Sequence, residues 1–331
     1  MSSSSCRTQR RHLLQIAAAA VLASSVIFGA SHAQAQSKSV AVTAIVEHPA
    51  LDSVRDGVRE ALEEAGFTGD KLKWQYQSAQ GNPGTAAQIA RNYIGQRPDV
   101  IVAIATPSAQ AVVSATKDIP VVFSAVTDPI AAQLVKSWEP SGTNVTGVSD
   151  ALSLQDQVDL IKQIIPGVKR IGMVYNPGEA NSVVVVEELK RILPAQGIEL
   201  VESTAPRTVD ITAAARNLVG KVDVIYTNTD NNVVSAYESL VKVAVEAKLP
   251  LVASDTDSVK RGAIAALGID YRDLGRQTGQ MVARILNGEA PGSMAIERST
   301  KTALYVNPKA AQAQGVTLSQ ELIASAKEVI E

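Results

Sequence analysis

The sequence predicts an α/β protein: two doubly wound, parallel-sheet lobes joined by a hinge of three crossings. Three observations carry this. Short apolar runs alternate with amphipathic stretches, the order of the runs repeats once, and each run ends in a polar cluster. In the first copy, 40–49 reads VAVTAIVEHP, 98–102 leads into Ala105-Thr106-Pro107-Ser108-Ala109, and 119–123 leads to Ser124 and Thr127-Asp128. In the second, 170–177 reads RIGMVYNP, 222–226 leads into Asn228-Thr229-Asp230-Asn231-Asn232, and 249–253 leads to Ser254-Asp255. The spacing is kept, with Pro49 to Asp99 spanning 50 residues and Pro177 to Asp223 spanning 46. Two like lobes facing each other enclose a cleft, the usual place to hold a small molecule.

Strands are expected at 40–46, 73–77, 100–105, 121–124, 171–175, 198–203, 223–227, 251–254 and 263–267. Several are Val/Ile-rich on both faces, as parallel strands covered by helices on both sides must be. In 51–65, Leu51, Val54, Val58, Leu62 and Ala65 form one helical stripe, and Gly66 stops the helix. Segment 84–96 buries Ala87, Ile89 and Tyr93, and 154–165, 182–195, 233–247, 272–287 and 319–330 read as helices too. Strand–helix alternation gives parallel, doubly wound sheets. Ligands of such sheets bind beyond the carboxyl ends of the strands, where the polar clusters lie. Crossings are expected at 144–153, 267–271 and 303–308. Lobe 1 is then 38–150 plus 270–302, and lobe 2 is 151–268 plus 305–331.

Hydrophobic content of 46% and charged content of 19% are those of a globular chain. Aromatic residues make up 4%, so the core must be mostly Ala, Val, Ile and Leu. The N-terminus reads as a cleaved signal peptide over 1–35. Arg7, Arg10 and Arg11 precede an apolar run from Leu13 to about Ala30, then Ser31-His32-Ala33 and Ala33-Gln34-Ala35 offer small-x-small cleavage patterns. Arg10-Arg11-His12-Leu13-Leu14 also resembles a twin-arginine signal, so the route is Sec or twin-arginine. Either route leads to the periplasm. Cys6, the one cysteine, lies upstream of the apolar run and leaves with it. Removing three Arg leaves 28 basic against 33 acidic residues, a net charge of −5 with no basic stripe for nucleic acid.

Catalysis finds little support. After His12 and His32 go with the signal, one histidine remains, His48, and no cysteine. There is no G-x-S-x-G elbow, Walker A loop or G-x-G-x-x-G fingerprint, and no His/Cys cluster for a transition metal. The reading is a binding protein without cofactor or metal. The clusters suit a small zwitterion. Thr106, Ser108 and Thr127 offer hydroxyls, and the loop after Thr106 opens a helix whose first N–H groups favour an anion. Asp230 and Asp255 offer charge-assisted hydrogen bonds to an ammonium. Glu47, His48 and Leu51 at the first strand end face the same cleft, and Tyr271 at the second crossing is either a core residue or a cover over an apolar ligand side chain.

The chain resembles the bacterial ABC-transporter substrate-binding proteins that include tryptophan and tyrosine binders, with the type I periplasmic-binding-protein fold. The residues carrying the resemblance are Val46-Glu47-His48-Pro49-Ala50-Leu51-Asp52, Ala105-Thr106-Pro107-Ser108-Ala109-Gln110, Ser124-Ala125-Val126-Thr127-Asp128-Pro129, Thr229-Asp230-Asn231-Asn232, Ala253-Ser254-Asp255, and Gly262-Ala263 through Gly268-Ile269-Asp270-Tyr271. The resemblance spans 38–331. It implies a monomer that delivers its ligand to an ABC permease in the inner membrane. By analogy with amino-acid binders of this fold, the ligand carboxylate falls to Ser108, Thr127 and the Ala109 region. The ammonium falls to Asp255, helped by Asp230 or Asn231, and Asp128, Ser254 and Asp270 complete the expected site. An aromatic, branched or other small ligand stays open, as does a sensor component of the same fold.

Overall fold

The computed structural model describes residues 37–299 and 301–331, so the expected export signal lies outside the described residues. The first run of elements is β1 (Lys38–Ala44), α1 (Pro49–Glu64), β2 (Leu72–Ser78), α2 (Pro83–Gln96), β3 (Val100–Ile104), α3 (Thr106–Ala115), β4 (Val121–Ser124) and β5 (Val145–Ser149). The second is α4 (Leu154–Ile164), β6 (Arg170–Tyr175), α5 (Ala180–Ile192), β7 (Glu199–Thr204), α6 (Ile211–Leu218), β8 (Val224–Thr227), α7 (Asn231–Ser235), α8 (Tyr237–Ala247), β9 (Leu251–Ala253), α9 (Thr256–Lys260) and β10 (Ala265–Ile269). The chain closes with α10 (Tyr271–Leu286), β11 (Glu297–Arg298), β12 (Thr302–Val306), α11 (Pro308–Ala313), α12 (Gln320–Ser325) and β13 (Glu328–Val329).

These strands form two sheets. One has the order β11-β5-β4-β3-β1-β2 and is parallel throughout. The other has the order β13-β12-β10-β9-β8-β6-β7, with a single antiparallel pair, β10 with β12. Central β3, VIVAI, is buried at every position because helices cover both faces, whereas edge β2, LKWQYQS, keeps half-exposed polar residues. Each sheet has its own core, one from Val40 to Ile296 and two from Val158 to Leu322. The chain passes between sheets at 150–153, at Asp270, and between Arg298 and Thr302. The last passage precedes the expected 303–308, because those residues belong mostly to β12.

All nine expected strands are present. β5 was not foreseen as a strand, since its short VTGVS run sits inside the expected first crossing. The helix expected over 319–330 stops at Ser325. Beyond it Lys327 N and Ile330 N donate to Leu304 O and Val306 O, so the edge of β12 captures this backbone as β13. The helix expected over 233–247 breaks at Ala236 into α7 and α8. Helices α1 and α10 cross closely because glycines meet there: a Cβ on Gly275 would lie 2.2 Å from Val54 O, and one on Gly57 2.3 Å from Arg272 O. This crossing fixes Tyr271, at the start of α10, against the first sheet.

Candidate functional site

The carboxyl ends of β1, β3, β4 and β5 face those of β6, β8 and β9 across a cavity. From the first sheet come His48, Leu51, Ala105, Thr106, Thr127 and Asp150. From the second come Asn181, Thr229, Asn231, Val234 and Asp255, with Tyr271 beside the second passage. The cavity holds about 20 Å³.

Two helices open onto this cavity without a side-chain cap, α3 and α5. Most other helices carry one, from His48, Asn82, Ser153, Asp230, Asp255, Asp270, Asn307 or Ser319. An uncapped helix start presents orphan N–H groups and a partial positive charge. Thr106 Oγ1 and Ser108 Oγ in the first turn of α3, and Asn181 Oδ1 in that of α5, are buried without a hydrogen-bond partner. Ala105, which leads into α3, has φ 70°, and Ala125, after β4, has φ 54°. Left-handed backbone at a non-glycine residue costs on the order of 1–3 kcal/mol and gathers at functional sites.

Carboxylates define the electrostatics. Asp150, Glu179, Asp230 and Asp255 are all at most 5% exposed. Burial raises the pKa of each. Glu179 is pushed up to about 7 by burial and then by the charge of Asp230. The one basic side chain felt within this set is Arg261, at Asp255, and it is itself paired with Glu238 at 2.7 Å. Asp150 accepts from Thr127 Oγ1 at 3.1 Å and from Tyr271 Oη at 2.9 Å. Asp255 accepts from Ser258 N at 2.8 Å and Ser258 Oγ at 2.6 Å. Both line the cavity. His48 caps α1 through Nδ1, and burial followed by Arg261 lowers its pKa to about 3, so it is neutral.

The other expected residues are placed as follows. Ser108 and Ala109, in the first turn of α3, are buried but do not line the cavity. Asn231 lines the cavity while donating to Glu179 at 2.6 Å. Asp230 lies outside the lining: it accepts from Asn176 N, Ser182 Oγ and Val233 N at 2.7, 2.6 and 3.1 Å, which ties the loops after β6 and β8 to α5 and α7. Glu47 is exposed and accepts from Gln80 Nε2 at 2.9 Å. Asp128 accepts from Ile130 N and Ala131 N, and Asp270 caps α10. Ser254 is buried on the hinge side of the cavity, with Oγ unpartnered.

Sequence reasoning missed Asp150, Asn181, Thr229 and Glu179. For two of them the signal was present: Glu179 and Asn181 follow 170–175 in the strand-then-polar pattern that found the others, and Thr229 lies inside the cluster 228–232. Among the described residues no cluster of three or more His, Cys, Asp or Glu is arranged to hold a metal, and no helix is long and apolar enough to cross a membrane.

The family of ABC transporter substrate binding proteins matches residues 39–330. The chain belongs to that family. It is 41% identical to the tyrosine-binding protein of Clostridioides difficile (strain R20291) over 271 residues, covering 82% of this chain and 79% of that protein. The crystal structure of an ABC domain from Streptococcus pneumonia in complex with L-Trp is 35% identical, with a TM-score of 0.86 over 89% of this chain and 100% of that one. The ligand-free, open structure of a substrate binding protein with adhesive properties from Clostridium difficile is 40% identical, yet its TM-score is 0.67 over 89% of this chain and 99% of that one. Between these two, identity and structural similarity run in opposite directions. The fold is that of type I periplasmic binding proteins, shared by solute-binding proteins only 15–17% identical. Members of this family carry substrates for transport and are not an enzyme family; those of ABC importers work outside the inner membrane.

Proposed function

We propose that this chain is the periplasmic component of an ABC importer for a free amino acid with a large apolar or aromatic side chain. The chain is exported by its N-terminal signal, works as a monomer without catalysis, and delivers the amino acid to a permease of the inner membrane. One observation carries the reading: buried carboxylates, Asp150 and Asp255, line a cavity that also receives two uncapped helix starts. Asp150 has no basic partner and Asp255 only Arg261, itself paired with Glu238, so the pair calls for a cation, and an ammonium supplies one through charge-assisted hydrogen bonds. The orphan N–H groups of α3, with Thr106 at the cavity and Ser108 and Ala109 in the same turn, suit the ligand's carboxylate. Asn231 and Thr127 complete the polar shell, and His48, Leu51 and Tyr271 close the first-sheet side. The relatives named for tyrosine and crystallised with L-Trp support the same ligand class.

Transport follows from closure. A cavity of 20 Å³ holds about one water, so an amino acid enters only when the lobes part about the three passages. The ligand then favours the closed state because it touches both lobes there. Thermal-shift screening of the mature chain, unfolded and refolded to strip carried-over ligand, tests this. A selective rise in melting temperature with one class of amino acid is expected. A rise with a sugar or polyol and none with any amino acid would overturn it.

A further inference from the structure

A second cavity, of about 510 Å³, adjoins the first on the hinge side and shares Thr127, Asp150 and Thr229 with it. Its apolar lining is Leu152 and Leu154 from the first passage and α4, and Val184, Val185 and Ile192 from α5; Gln155, Glu188, Arg191 and Tyr226 line it as well. Its floor is the carboxyl end of the second sheet, where Asn228 and Ser254 are each 2% exposed. Asn228 Nδ2 donates to Ser182 Oγ at 3.1 Å, but Asn228 Oδ1 and Ser254 Oγ have no partner. An unpaired buried polar group is costly, so two together on the floor of one chamber mark a place where something else hydrogen-bonds. The volume lies within the range of small-molecule pockets, whereas the carboxylate-lined cavity lies far below it. Thr127 Oγ1 and Thr229 Oγ1, 3.5 Å apart, divide the two, one from each sheet.

We infer that the chamber is the specificity pocket for the ligand's side chain. With the lobes parted enough to widen the 20 Å³ cavity and to separate Thr127 from Thr229, now 3.5 Å apart, the amino-acid head sits among Asp150, Asp255 and Thr106 and the side chain reaches into the chamber. Its apolar walls select an apolar or aromatic body. Asn228 Oδ1 accepts and Ser254 Oγ both donates and accepts, so the floor selects a side chain tipped by a hydrogen-bond donor, such as a phenol or an indole N–H. Leucine and phenylalanine fit the walls and leave the floor unpaired. This inference rests on the amino-acid reading above and assigns the residues that choose among amino acids.

Isothermal titration of the stripped chain with L-tyrosine, L-phenylalanine and L-alanine tests it, using Ser254→Ala and Val184→Phe beside the parent. Ser254 Oγ neighbours the Tyr226 phenol and makes no other hydrogen bond among the described residues, and unchanged melting of the unliganded variant verifies that its removal leaves the fold intact. L-tyrosine is expected to bind one per chain and more tightly than L-phenylalanine. Ser254→Ala should weaken L-tyrosine about fivefold and leave L-phenylalanine unchanged, the size of one net hydrogen bond. Val184→Phe, which puts a ring into the chamber where the ligand's ring would lie, should weaken both aromatic ligands by at least about tenfold. Affinities for L-tyrosine that neither substitution moves, a stoichiometry of two, or binding restricted to L-alanine would overturn the chamber assignment and leave the amino-acid reading standing. Failure of all three amino acids, and of the full set of twenty, would overturn both.

Discussion

Asp255→Asn separates ligand recognition from folding. Asp255 caps α9 through Oδ1, which accepts from Ser258 N. Asn is as good a cap as Asp, so the helix start survives. Losing a carboxylate whose pKa burial raises does not harm the unliganded protein, and melting without ligand should hold or rise. Binding should respond differently. Truncating one partner of a buried charge pair costs about 2–5 kcal/mol, so the dissociation constant rises at least about thirtyfold. At a ligand concentration 100 times the parent's dissociation constant, the parent gains about 2.7 kcal/mol on binding, and the variant about 0.9 kcal/mol. For a chain of this length these correspond to melting shifts of about 4 °C and about 1.5 °C. Differential scanning fluorimetry with and without L-tyrosine or L-tryptophan reads both numbers. An undiminished ligand shift in Asp255→Asn would refute the placement of the ammonium. A collapse of the unliganded melting temperature would refute the claim that this carboxylate serves binding more than folding.

His48 sets an acid limit. Its pKa falls from 6.5 to about 3 on folding, so the unfolded chain takes up the proton first and stability is lost as pH falls below 6.5. Between pH 7 and 5 that loss is about 2 kcal/mol, and His48→Asn, which keeps a cap on α1, should remove it in urea titrations at the two pH values. Glu179 acts in the opposite direction. Its pKa rises to about 7, so its contribution is complete below about pH 4.5 and lost as pH climbs through 7. Glu179→Gln should therefore stabilise the chain at pH 8 and flatten the fall between pH 5 and 8; parallel melting curves for parent and variant would contradict this. Gly275→Ala pushes a Cβ to 2.2 Å from Val54 O at the α1–α10 crossing and should cost about 1–3 kcal/mol. Gly95→Ala, in α2 with nothing within 4 Å, should be neutral or stabilising, and chemical denaturation of the pair tests the contrast.

The fold was legible because two parallel sheets write their strands as apolar runs and their ligand loops as polar clusters. Thr106, Thr127, Asn231, Asp255 and Tyr271 were found that way, and all five line the cavity. Asp150 escaped because VTGVS looks like a connection: it is five residues long, with a glycine at its centre. Gly147 is there because a Cβ would meet Phe123 O at 2.3 Å, a tertiary constraint that no local pattern displays. Ser108 and Asp230 mark the opposite limit. Their residue types suit a ligand, but one is buried without lining the cavity and the other is consumed by three bonds within its own lobe. Which polar groups are already satisfied depends on contacts between distant segments, such as Ser182 with Asp230. The hinge-side chamber was invisible for the same reason, since its walls come from α4 and α5 and its floor from β8 and β9.

The central claim is that buried carboxylates receive the ammonium of an amino acid. Titration calorimetry comparing L-tyrosine with its desamino analogue, 3-(4-hydroxyphenyl)propionate, tests it most directly. The two molecules share the ring, the hydroxyl and the carboxylate. The account predicts that loss of the ammonium weakens binding by at least about thirtyfold. Equal affinity for the two would contradict it.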